Sequence, residues 1–62
     1  MCEANAYLYR EGKEELVLEA VNIVEPAEEG GYRLVNIFGD QRIVAGRIKR
    51  MNLVDHRILF EE

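Results

Sequence analysis

Turn signals punctuate this chain roughly every 8–12 residues, which leaves room between them for strands but for few helices. Gly12, in "REGKE", separates Tyr7 and Tyr9 from the apolar stretch "ELVLEAVNIV". Pro26 to Gly31, "PAEEGG", has the proline and glycines of a loop. "YRLVNIF" follows, then Gly39–Asp40, which reads as a two-residue hairpin connection with glycine at its first central position. "QRIVAGRIKRMNLV" runs to a tight turn at Asp55–His56, and "RILFEE" closes the chain. The pattern predicts an all-β fold, a sandwich or a barrel.

One segment also fits a helix. In "KEELVLEAVNIV", Leu16, Val17, Ala20, Val21 and Val24 recur at helical spacing, and Glu14, Glu15 and Ala20 favour helix. Val17, Val21, Ile23 and Val24 are β-branched, however, and the segment lies between two strand-like neighbours. A strand is expected. Gly46, in "VAGRI", is expected at a bulge or sharp bend of the kind small barrels need at corners.

Several strands are apolar on both faces. In "YRLVNIF", alternation sends Leu34 and Phe38 to one side and Val35 and Ile37 to the other. A small barrel's interior takes only one of these sets, so the second is expected to meet another layer or another subunit. Sixty-two residues form one small domain, residues 1–62. A chain of this size buries only about 60% of the surface that its unfolded form exposes, so it needs outside support. The single cysteine, Cys2, cannot close an internal disulfide. A homodimer, a metal or both are expected instead.

With 48% hydrophobic and 32% charged residues, the chain has the composition of an ordered globular protein. It contains no apolar run of the roughly 18 residues that a membrane helix needs. Its first dozen residues carry Glu3, Arg10 and Glu11, unlike a signal peptide. One thiol and no export signal point to the cytoplasm. The net charge of -4 is unevenly spread. Residues 1–29 carry eight acids against Arg10 and Lys13, whereas Arg42, Arg47, Lys49, Arg50 and Arg57 face only Asp55 between residues 42 and 57. Such a split marks either a surface that meets an anion or strands with complementary charges on their solvent faces.

Catalytic constellations are not apparent, and the chain reads as a non-enzyme. Cys2 and His56 lie near opposite ends, and no third group is evident to orient a nucleophilic pair. The glycines match no phosphate-binding loop, and no four-ligand zinc spacing occurs. His56 reads as a turn residue. Cys2 is different. A cysteine at the extreme amino terminus can offer its sulfur together with its own nitrogen, closing a five-membered chelate ring. Two chains related by a two-fold axis would then complete an N2S2 site, a donor set that suits square-planar Ni(II) or Cu(II).

"MCEANAYLY", "EELVLEAVNIV" and "LVNIFGDQRIVAGRIKRMNLVDHRIL", taken with the overall length, resemble the CooT-like family. These are small proteins related to the nickel-binding accessory protein of carbon monoxide dehydrogenase. The resemblance covers nearly the whole chain, and its most specific parts are the Met-Cys start and the segment leading into "FGDQ". It implies a small SH3-like barrel of five to six short antiparallel strands, assembled as a homodimer. It implies a single Ni(II) shared through Cys2. It also implies a role as nickel chaperone for a metalloenzyme such as carbon monoxide dehydrogenase, or for its maturation machinery.

The same family has carried a prediction of RNA binding. Here Arg42 to Arg57 supply a basic stretch, and Tyr7, Tyr9 and Tyr32 could stack bases if exposed. Against this, the sequence pI is about 4.9 and there is no tryptophan. RNA binding is the alternative reading.

Overall fold

The structure, a computed structural model, describes residues 3–62, six strands and no helix among them. No helix is therefore long and apolar enough to cross a membrane. The strands are β1 (Ala4–Arg10), β2 (Lys13–Pro26), β3 (Tyr32–Asn36), β4 (Gln41–Val44), β5 (Arg47–Asn52) and β6 (Arg57–Glu61). They form one sheet in the order β4-β3-β2-β1-β6-β5.

The connections force that sheet to curl. Its two edges, β4 and β5, are joined by Ala45 and Gly46 alone. Six flat strands would hold the edges about 24 Å apart, but three Cα steps reach only about 11 Å. The sheet therefore rolls until its edges meet at this corner, giving the expected small SH3-like barrel. Gly46 sits in the corner as expected, where a Cβ would lie 2.2 Å from the Glu61 carbonyl oxygen. Only a hydrogen fits there.

"KEELVLEAVNIV" forms a strand, but a long and bent one. From Lys13 to Val21 it pairs with β1, and from Val21 onward with β3, so Val21 faces both Ala4 and Asn36. The bend falls at Ala20, which has a positive φ of 56°. Its backbone groups are taken up outside the ladder. The Ala20 N–H donates to Asn5 Oδ1 at 3.1 Å, and its carbonyl accepts from the Ile37 N–H at 3.0 Å.

The expectation of short antiparallel strands needs two amendments. β2 has 14 residues, and β1 pairs with β6 in parallel, with Asn5 opposite Arg57 and Tyr9 opposite Glu61. The other four pairings are antiparallel. The parallel pair brings both ends of the chain to the middle of the sheet. The Gly39–Asp40 hairpin is also longer than expected, because β3 stops at Asn36 and the connection runs from Ile37 to Asp40.

Alternation fills the barrel. Ala6, Leu18, Val21, Leu34, Val44, Ile58 and Phe60 are buried, with Leu34 and Phe60 the largest fully enclosed side chains. Phe38, expected beside Leu34, instead sits in the turn and is 75% exposed. Asn36 takes the inward position two residues after Leu34 and is the one buried polar residue among those described. On the outer face, Leu16, Ile23 and Ile43 are exposed and Val35 is half-buried, whereas Ile37, expected beside Val35, lies in the turn after β3.

Candidate functional site at the amino end

Cys2, the expected metal ligand, lies outside the described residues. The ground it stands on is described. β1 begins at Ala4 between β2 and β6, with Ala4 opposite Val21 and Asn5 opposite Arg57. Glu3, the residue joined to Cys2, is therefore held on the rim at one end of the barrel, between β2 and β6.

The turn between β5 and β6 reaches this point. Asn5 N–H donates to the His56 carbonyl at 2.8 Å, and His56 Nδ1 lies 3.1 Å from the Glu3 carbonyl oxygen. The sequence placed cysteine and histidine at opposite ends of the chain, yet the parallel β1–β6 pairing sets His56 against Cys2's neighbour. His56 is a turn residue as expected, although the turn spans Leu53–His56 rather than Asp55–His56 alone. Asp55 and Asn52 brace it: the Asp55 N–H donates to Asn52 Oδ1 at 3.1 Å, and Asn52 Nδ2 donates to the Asp55 carboxylate at 3.0 Å.

Three hollows open beside Glu3, one of them, about 320 Å³, lined by Glu3, Asn5, Asp55 and His56, and the other two partly apolar. Of these two, one, about 340 Å³, is mostly apolar and includes Ala4, Val21, Val24, Leu53 and Ile58, with His56 at its side. The other, about 480 Å³, is shared with Leu16, Ala20, Ile37 and Phe38. Apolar turn residues thus flank the amino end from both directions, and Leu53 and Val54 are 72% and 87% exposed. Exposed apolar groups gathered around one point are a feature of interaction surfaces. Among the described residues, no three of His, Cys, Asp and Glu converge into a metal cluster.

The basic stretch is dispersed and largely engaged. Arg47 and Lys49 pair with Glu61 at 3.4 and 3.8 Å, and Arg57 pairs with Glu14. Arg42 donates to the neighbouring Gln41 carbonyl at 2.9 Å. Arg50 lies in a shallow hollow that also contains Glu14, Asp55 and Arg57. The tyrosines have partners as well. Arg57 stands 4.4 Å from the Tyr7 ring centroid, Lys49 5.0 Å from that of Tyr9, and Tyr32 is tilted against Phe60 at 5.7 Å. The uneven charge in the sequence is thus resolved largely as complementary pairing between strands.

Comparison with known proteins adds three findings. The family described as CO dehydrogenase accessory protein CooT matches residues 1–61. A crystal structure assigned as a CooT, from Carboxydothermus hydrogenoformans, is 51% identical in sequence, with a TM-score of 0.90 over 98% of this chain and 97% of its own. An uncharacterized protein of Methanothermobacter thermautotrophicus is 39% identical over 61 residues, which cover 98% of this chain and 89% of the relative.

Proposed function

The chain belongs to the CooT family of CO dehydrogenase accessory proteins, and from that premise we propose that it carries nickel for the enzyme's metallocentre. It works without catalysis of its own, as a cytoplasmic homodimer that binds one Ni(II) between two copies of Cys2. Each copy offers a thiolate and the adjoining nitrogen, and the ion is cargo to be passed on rather than a resident cofactor.

The observation that carries this reading is the family match from the first residue to the sixty-first, which takes in the Met-Cys start. The described geometry supports it. Glu3 is anchored on the rim at one barrel end, so two copies meeting there through this rim bring their second residues together. Exposed Phe38 and Leu53, each lining a hollow that Glu3 shares, give a second copy something apolar to cover. A thiolate is a soft donor, and with nitrogen it gives nickel the square-planar field that hard oxygen ligands do not.

Native mass spectrometry of the nickel-loaded protein tests the proposal. One nickel per two chains is expected, together with a thiolate-to-nickel charge-transfer absorption. A Cys2→Ser variant that holds nickel as tightly as the parent rules the reading out.

A further inference from the structure

His56 is the chain's only histidine, and it occupies a backbone position that histidine fills at a cost. Its φ of 55° is left-handed, where a side chain crowds the backbone and glycine or asparagine is more comfortable. The turn itself needs only the backbone of this residue, whose carbonyl accepts the Asn5 N–H at 2.8 Å. Glycine would make that bond equally well. What glycine could not do is reach Glu3 with a ring.

That second contact is chemically definite. A carbonyl oxygen only accepts, so the 3.1 Å approach of Nδ1 to the Glu3 oxygen requires the hydrogen to be on Nδ1. The imidazolium also carries a hydrogen there, so the bond is available in both charge states. One residue thus holds β1 at Glu3 and at Asn5, immediately beyond Cys2.

We propose that His56 is a positioning residue for nickel capture: its ring fixes the backbone of Glu3, the residue to which Cys2 is joined. The inference rests on the nickel reading above and names what makes a chain end usable as a chelator. Metal binding at an unheld end must first order the backbone, and each residue already fixed removes that cost. For one residue per chain the effect is about tenfold in affinity, and for a site shared by two chains about 100-fold.

His56→Gly tests this, because glycine suits the left-handed turn and the fold is kept. Thermal unfolding of the variant is expected at or above the parent's temperature. Nickel affinity by competition with a chelator is expected to fall between tenfold and 100-fold, with the charge-transfer bands unmoved. Unchanged affinity overturns the proposal. So does a fall in affinity matched by a fall in stability, which makes His56 merely structural, or a shift of the bands, which makes it a ligand. Cys2→Ser, measured alongside, separates the two readings. If that variant keeps full nickel affinity, both readings fail. If it loses nickel while His56→Gly retains it, only the role of His56 fails.

Discussion

Asn36 Oδ1 accepts the backbone N–H of Asp40 at 2.8 Å and that of Phe38 at 3.0 Å, so one buried side chain holds the whole turn between β3 and β4. Its amide donates in turn to the Asp40 carboxylate at 3.3 Å. Removing the side chain strands two N–H donors at a part-buried site. Asn36→Ala is therefore expected to cost about 2–4 kcal/mol, read as a lower urea midpoint. Asn36→Asp keeps both acceptors but sets a carboxylate against Asp40. Its smaller loss should shrink as salt is added.

Two backbone positions should respond in opposite directions. Gly31 has a φ of 77°, and a Cβ there would lie 2.1 Å from the Val44 carbonyl oxygen. Backbone cannot swing aside as a side chain can, so Gly31→Ala is expected to cost about 3 kcal/mol or more. Ala20 is the reverse case, a side chain at φ 56° in the bend of β2. Glycine there relieves left-handed strain but frees the unfolded chain, for a net gain of about 0.5 kcal/mol. Paired thermal melts should show a sharply lowered midpoint for the first variant and a slightly raised one for the second.

Much of this architecture can be read directly from residues. The β-branched run through Val17, Val21, Ile23 and Val24 decides for strand over helix, and Gly46 marks the corner that closes the sheet. Alternation identifies Leu34 as core. It holds at Asn36, which also points inward, but fails at Phe38, because β3 ends at Asn36 and the Asn36 side chain ties the chain into a turn that carries Phe38 out. Periodicity carries no trace of such a tie. Nor does it show pairing between distant segments. Glu14 and Arg57 find each other across β1 although 43 positions apart, and His56 meets Glu3 only because β6 runs parallel to β1. Cys2 as a ligand is a reading of the sequence alone and lies outside the described residues, whereas the contact between His56 and its neighbour Glu3 is visible only in the fold.

The engaged basic residues bear on RNA. Arg47, Lys49 and Arg57 each face a carboxylate, and the rings of Tyr7 and Tyr9 are covered on one side by Arg57 and Lys49. A backbone-tracking groove needs charges free to displace counterions. No retention of single-stranded RNA is expected in a filter assay even at about 50 mM salt. Retention that falls steeply between low and moderate salt would revive the alternative.

Proton linkage distinguishes a shared nickel ion from one held by a single chain. Free cysteine has a pKa of about 8.5, so near neutral pH each thiol must surrender a proton before it ligates. An ion held by two copies of the thiolate-and-nitrogen pair displaces about four protons, because each nitrogen must be freed of a proton as each sulfur is, and its apparent affinity then falls about 10,000-fold for each pH unit below the range of these groups. An ion held by one such pair displaces about two protons and loses only about 100-fold. The direction is fixed, because acid competes for both donors and always favours release. Chelator competition at pH 7, 6.5 and 6 is expected to give a slope that exceeds two and approaches four. A slope of two or less would place the nickel on a single chain and remove the dimer from the site.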